Sequence, residues 1–330
     1  ARVFIRDCFR EWQKKYNKYN IDVWKINILC KRVCSLLENS SFFFSTADQN
    51  FQKTFSRSLN KQAFFLIKNY KEQVENNNKI FLSKSIILSS LCFKNLRYKL
   101  SFGMEMLFDT IDKDLLDDSM HASRSPNQHF EFLKSLIDIK NFLGFCDLEI
   151  PKYLNVIISK MGTVLKFFKI NSSELAIFNE SRFVGSIELN EVIKRSNSRV
   201  KIPSELKSSC YNRVSENRLT FIMDNGSPSL VNTHASSLSF EFSYIGEKIV
   251  VNSGSPYVND KKWSDAMRST AAFSTVSIDN HNSSDIYSNK RIAKVWYEKF
   301  QNNRSFWINS AHSGYKEIFG VIIKIIMNDK

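Results

Sequence analysis

The sequence predicts an α+β chain, helical through its first half and antiparallel β through its second. Three observations predict it. Of nine glycines only Gly103 and Gly144 precede residue 160. Apolar residues recur at helical spacing through residues 21–169. After Ile170 the period shortens to two, the period of a strand with one buried face.

Taken in order, Val23, Ile26, Leu29, Val33 and Leu36 mark a first helix, and Phe51, Phe55, Leu59 and Ala63 a second. Ser45 or Thr46 can cap the second, since a side-chain oxygen there accepts from an orphan backbone amide. Asn76-Asn77-Asn78 interrupts before a third helix from Ile80 to Phe93. Pro126 and Pro151 each suit a first helical turn, where the missing N–H would have no partner in any case. The helices they open run through Phe130, Leu133, Leu136 and Ile137, and on to about Phe168. Their short connections imply antiparallel neighbours. Alternation then appears in Glu174–Phe178 and in Leu219, Phe221 and Met223. The clearest hairpin joins Leu238–Phe242 to Ile249–Val251 through a turn at Gly246, with Gly254 closing the second strand. Ser274–Ile278, Lys294–Tyr297, Ser305–Ile308 and Val321–Ile326 continue the pattern, and Glu188–Ser196 reads as an inserted helix.

A chain of 330 residues has room for two domains, drawn here at 1–170 and 171–330. With 43% hydrophobic residues it can bury a core, which excludes a disordered polymer. No run approaches the roughly 18 apolar residues of a membrane-spanning helix. Lys and Arg number 47 against 33 Asp and Glu, and the resulting +14 gathers polyanions. Nucleic acid, acidic polysaccharide and anionic membrane all satisfy that charge. Nucleic acid lacks motif support, because no zinc finger, RNP-like strand or basic recognition helix is present and the lysines are scattered. Asp109, Asp112, Asp114, Asp117 and Asp118 read as a solvated helix end rather than a nuclease metal cluster. The six cysteines form no CxxC pair, and Cys30 and Cys34, at i, i+4, read as packing thiols. Beginning at Ala1 and ending in an apolar run from Phe319 to Met327, the sequence reads as a piece of a longer protein.

Several segments then stand in a distinctive order. They are Asp117-Asp118-Ser119-Met120-His121 before Ser123-Arg124-Ser125-Pro126-Asn127-Gln128-His129, and Leu165-Lys166-Phe167-Phe168 before Leu175-Ala176-Ile177-Phe178-Asn179. Further on come His234-Ala235-Ser236-Ser237-Leu238-Ser239-Phe240-Glu241-Phe242, Val251-Asn252-Ser253-Gly254, Arg268-Ser269-Thr270-Ala271-Ala272-Phe273-Ser274 and His312-Ser313-Gly314-Tyr315. Over about residues 20–325 this order resembles the heparinase II/III family of polysaccharide lyases. The resemblance implies an incomplete α/α toroid followed by an antiparallel β-sandwich that is incomplete at its C-terminal end. It also implies a bacterial protein of the periplasm or cell envelope. The implied partner is an acidic, uronic-acid-containing polysaccharide such as a glycosaminoglycan, with no nucleic acid and no membrane span.

Family members cut such glycans by β-elimination. A hydrogen-bonding or cationic group must neutralise the uronate carboxylate while a base removes the C5 proton and an acid protonates the departing glycosidic oxygen. Carried over by position, the resemblance implies His234, Asn232, Asn78 and Gln128 as the catalytic set, with Asn77 an alternative to Asn78. Gln128 stands where the family has a catalytic Tyr, and it can donate a hydrogen bond but exchanges no proton. Arg124, His121, His129, Tyr211, Arg213 and Arg268 are the implied substrate contacts. The family's structural zinc would fall to His234 and Asn252, the latter in place of an Asp, and Phe273 stands where a His ligand is expected. One imidazole and an amide make a poor zinc site, so no cofactor is expected. A lone His such as His234 also fits a structural role, and Arg268 also fits an ion pair. Tyr211 and Tyr257 also fit packing aromatics, while His281 and His312 read as surface or loop residues. Two functions remain open: a lyase acting on an acidic glycan, and a relative that binds such a glycan with catalysis impaired.

Overall fold

The computed structural model describes residues 1–71, 79–216, 218–229, 234–255, 260–288, 290–301 and 305–328. Asn77, Asn78, Asn232 and Tyr257 therefore lie outside the described residues. The chain divides into two compact units, Ala1–Lys113 with Ser135–Lys152, and Asp114–Lys134 with Tyr153–Lys330.

The first unit is helical: α1 (Arg2–Tyr16), α2 (Ile21–Trp24), α3 (Ile26–Glu38), α4 (Ser40–Phe44), α5 (Gln49–Asn69), α6 (Lys79–Cys92) and α7 (Leu100–Asp114). To these it adds the C-terminal part of α8 (Pro126–Phe145). In α3 the residues Ile26, Leu29, Cys30, Val33, Cys34 and Leu37 are buried at the spacing that makes one face. Burial raises the Cys30 thiol to about 11, which fits a packing role. Helix α5 is capped by Asp48, whose carboxylate accepts from the Phe51 amide at 2.8 Å. Ser45 and Thr46 do not cap it. Ser45 Oγ donates to the Ser41 carbonyl, and Thr46 Oγ1 accepts from Arg6. Helix α1 was not anticipated; its Phe9 ring packs 5.0 Å from that of Phe55. Helix α6 is buried on every side from Leu82 to Ser90. At Gly103 of α7 a Cβ would lie 2.9 Å from Ile87 Cγ1, so glycine permits the close approach to α6. The amine of Lys84, at the centre of α6, meets Asp138 Oδ2 at 2.7 Å and pairs with Glu38.

The second unit contains α9 (Lys152–Phe167), α10 (Ser186–Arg195), α11 (Lys261–Arg268), α12 (Lys316–Phe319) and two antiparallel sheets. One sheet has the order β1 (Glu205–Leu206), β2 (Tyr211–Glu216), β3 (Leu219–Asp224), β4 (Phe240–Tyr244), β5 (Glu247–Val250). The other runs β6 (Val295–Gln301), β7 (Phe306–His312), β8 (Ile323–Asn328). Val214, Phe221 and Met223 of the first sheet share a core with Leu238 and with Phe306 of the second. The β4–β5 loop is two residues, Ile245 at φ 51° and Gly246 at φ 83°. Positive φ at both positions is what a hairpin turn matching the strand twist demands.

Two expected strands are absent. Glu174–Phe178 contributes only an isolated bridge, Lys169 to Leu175, and Ser274–Ile278 only a bridge from Ile278 to His281. In Glu174–Phe178 the alternation reflects side chains buried against β4 rather than ladder pairing, whereas Ser274–Ile278 is half-buried to exposed and tied to β4 at Ser274. Ser243 Oγ donates to the Ile170 carbonyl at 2.6 Å, and the Phe240 amide to Ser274 Oγ at 3.0 Å. No described helix is long and apolar enough to cross a membrane.

Candidate functional site

The residues singled out by sequence in the second unit fall into two hydrogen-bonded clusters. The first centres on Arg124, which precedes α8 in the left-handed region at φ 56°. Its Nε donates to the Ser209 carbonyl at 2.9 Å, its Nη1 to the Ser227 carbonyl at 2.8 Å, and its Nη2 pairs with Asp224. The Tyr211 phenol donates to the Arg124 carbonyl at 2.8 Å, and Asn179 Nδ2 donates to that phenol at 2.9 Å. Asp118 accepts from the Ser209 amide at 2.7 Å and its hydroxyl at 2.9 Å. A Cβ at Gly226 would overlap the Arg124 guanidinium, so glycine is required there by close approach. Arg124 and Tyr211, expected to contact substrate, thus turn their polar atoms inward. Burial, and then the Asp224 carboxylate, hold the Tyr211 phenol well above its ordinary value, so it is no base near neutrality.

The two neighbouring histidines are also internal. His129 Nδ1 accepts from the His121 amide at 3.3 Å, which leaves Nε2 to donate to the Met161 carbonyl at 2.9 Å. His121 Nδ1 accepts from the Ser123 amide at 3.1 Å. Burial pushes His121 down to about 3 and His129 down to about 4, so both are neutral. Gln128 is half-buried, and its backbone N–H donates to Ser125 Oγ at 3.4 Å in a cap of α8. Arg213 Nη1 donates to the carbonyls of Phe167 at 2.6 Å and Lys169 at 2.7 Å. A cation on the unpaired carbonyls ending α9 satisfies them and opposes the helix dipole.

The second cluster gathers His234, Arg268, Asn252 and Phe273. The Ala235 amide donates to the Arg268 carbonyl at 2.9 Å, and Thr270 Oγ1 donates to the Ala235 carbonyl at 2.8 Å. These bonds place the His234 ring edge-on to Phe273, centroids 5.8 Å apart at 86°. His234 is 5% exposed, and its Nδ1 has no hydrogen-bond partner among the described residues. Burial, and then the Arg268 charge, push it down to about 4. The Arg268 guanidinium donates to the Ile286 carbonyl.

Glu241 was not foreseen. It is fully buried on β4, and its Oε1 accepts from the amides of Ile177 at 3.0 Å and Asn252 at 3.1 Å. Burial raises it to about 7, with those two amides opposing the shift. Alternation in Phe240-Glu241-Phe242 reports one buried face without saying that segment 170–178 packs on the face carrying Glu241 and Ser243. Asp224 and Asn179 were also missed, since nothing local marks an Asp at a strand end as the partner of an Arg 100 residues earlier. His312, expected at the surface, is fully buried at the end of β7, where its Nδ1 accepts from the Gly314 amide at 3.1 Å. His281 is exposed as expected.

The zinc implied by the resemblance does not fit these side chains. Phe273 offers no donor atom. Asn252 Oδ1 already accepts from the Ser274 amide and hydroxyl, each at 3.0 Å. Zinc takes about three or four N, S or O ligands in a tetrahedral array, and the described residues include no group of three His, Cys, Asp or Glu able to hold a metal ion.

Comparison with known proteins agrees with this architecture. Residues 2–202 match the family model of the heparinase II/III N-terminus, and residues 199–328 that of the heparinase II/III-like C-terminal region. A crystal structure of heparinase III superposes with a TM-score of 0.74 at 16% identity, over 94% of this chain and 55% of that one. Heparan sulfate lyase HepC from Pedobacter heparinus gives 0.62 at 18% identity, over 94% of this chain and 54% of its own. FtsZ-localized protein C of Caulobacter vibrioides is 22% identical over 231 residues, 66% of this chain and 40% of that protein. The chain thus spans about half the length of these structures and less of the curated relative. Similarity at this level establishes the fold, and with both family models matching end to end, the chain belongs to the heparinase II/III family.

Proposed function

We propose that this chain binds an acidic, uronic-acid-containing glycan and that its capacity for β-elimination is impaired. One observation carries the reading: neither described side chain at a proton-transferring position can do that work. Gln128 has no group that titrates near neutrality. His234 is buried with its pKa depressed to about 4, and an imidazole that substrate cannot reach neither removes nor delivers a proton. Losing one positioned acid or base lowers a rate by about 10²–10⁴-fold, so losing two leaves little turnover. Binding asks for less. A net charge of +14 concentrates a polyanion at the surface, and Asn232, Asn78 and Gln128 are side chains that hydrogen-bond a carboxylate without exchanging protons. The name of the Caulobacter relative refers to localisation, which is consistent with family members serving without cleavage.

The test is a panel of acidic glycans offered to the purified chain, with binding followed by calorimetry and elimination by the ultraviolet absorbance of the unsaturated uronate product. Saturable binding without absorbance growth is expected. Absorbance growth that vanishes in His234→Ala would replace this reading with the lyase. Neither binding nor product with any glycan would remove the glycan altogether.

A further inference from the structure

We propose that this chain holds the region around His234 together without a metal ion, a ring contact and a set of hydrogen bonds standing in the ion's place. Three separate segments meet here: the approach to β4 at His234, the stretch after β5 at Asn252, and the stretch after α11 at Phe273. A metal ion tied to one residue of each would cross-link them. The cross-links present are of another kind. The Ser274 amide and hydroxyl both donate to Asn252 Oδ1 at 3.0 Å, and the Ser253 amide donates to the Ala272 carbonyl at 3.1 Å. Thr275 Oγ1 donates to the Ser237 carbonyl at 2.6 Å, and Thr270 Oγ1 to that of Ala235 at 2.8 Å. The His234 ring meets the buried Phe273 ring edge-on, so an apolar contact fills the point where a third donor would be needed.

Two residues account for the difference. Asn252 presents a neutral amide whose oxygen is already doubly occupied, and Phe273 presents only carbon. An Asp at 252 keeps the two bonds from Ser274 on one oxygen and frees the other as an anionic ligand. A His at 273 brings a second imidazole to the 5.8 Å ring separation, which suits two imidazoles sharing one tetrahedral ion. The double variant Asn252→Asp/Phe273→His therefore recreates a three-ligand site around His234.

Metal content of the purified wild-type chain would be measured after growth with added zinc, and melting followed with and without chelator. Substoichiometric zinc and a melting temperature indifferent to chelator are expected. The double variant is expected to take up about one zinc per chain and to melt lower in chelator than in zinc; cobalt(II) in place of zinc would add a visible tetrahedral absorption band. One tightly held zinc per wild-type chain, or a wild-type melting temperature that falls in chelator, overturns the proposal. So does a folded double variant that takes up no metal. The wild-type measurements decide by themselves if the double variant does not fold, and neither depends on whether any glycan binds or is cut.

Discussion

Buried charge is handled differently in the two units. In the helical unit one amine, Lys84, lies between carboxylates from two other helices, Glu38 and Asp138, whose side chains keep 25% and 19% of their exposure. Three regular helices provide the whole arrangement, and water still reaches the acids. In the β-containing unit Arg124 is paired with Asp224 at 13% and 3% exposure, and the pair is assembled from irregular backbone: a left-handed residue, a glycine at 226 and carbonyls at 209 and 227. Both units leave buried polar atoms without hydrogen-bond partners among the described residues: Asn27 Oδ1, Arg32 Nη2 and the Ser89 and Ser90 hydroxyls in the helical unit, and His234 Nδ1, Asn252 Nδ2, Glu241 Oε2 and His312 Nε2 in the other. Helices satisfy their own backbone and need few such devices. Loops around strand ends must be held by side chains, which is why the family's distinctive segments lie there.

Acidification should give the largest effect, confined to the second unit. His121, His129, His234 and His312 are each pushed by burial from 6.5 to about 3 or 4. The folded chain keeps them neutral while the unfolded chain takes up protons, so stability is intact above pH 6.5 and is lost as pH falls toward 4. Each contributes on the order of a few kcal/mol. Glu241, raised from 4.5 to about 7, works in the opposite sense, favouring the folded state at low pH and losing that contribution as pH rises toward 7. Four histidines outweigh one carboxyl, and hydrogen exchange across this window should show the β-containing unit opening first. Uniform opening of both units, or none, would contradict the comparison.

Single substitutions sharpen it further. Asp224→Ala strands a buried guanidinium and should lower unfolding free energy by about 3–5 kcal/mol in urea titrations. Lys84→Met should lose less, roughly 2–3 kcal/mol, because the two carboxylates it leaves are partly hydrated. If Lys84→Met proved the more damaging, the ranking of the two charge sites would be reversed. Gly226→Ala forces a methyl group against the Arg124 guanidinium and should cost about 1–3 kcal/mol. The smallest change is Arg213→Lys, which keeps a cation at the end of α9 but loses the shared donation to two carbonyls, and about 1 kcal/mol of stability is expected to go with it. A neutral outcome there would mean that water serves those carbonyls equally well.

Much of this was legible in the residues. Ile26, Leu29 and Val33 in the core face of α3, the start of α8 at Pro126 and of α9 just after Pro151, and the β4–β5 hairpin follow from period, proline geometry and glycine freedom, all of which act within a few residues. Val23, by contrast, falls in α2, and Leu36 is half-buried. The strand expected at Glu174–Phe178 failed because alternation records burial, and Leu175, Ala176 and Phe178 are buried without pairing into a ladder. Ser274–Ile278 alternates without being buried and is held instead by side-chain bonds from Ser274 and Thr275. Helix α11 escaped notice because it is only 8 residues long, so its apolar Trp263, Ala266 and Met267 repeat over a single turn.

Family membership, the helical-then-β order and the absence of a proton-exchanging group at Gln128 were determined by the sequence alone, since each is a property of local pattern or of a residue's own chemistry. What Arg124, Tyr211 and His129 hydrogen-bond to, and how deeply His234 is buried, were decided only by the tertiary structure. Whether a polar side chain faces a ligand or the interior depends on which distant carbonyls and carboxylates the fold brings to it, and desolvation then sets whether it carries charge or a proton at all.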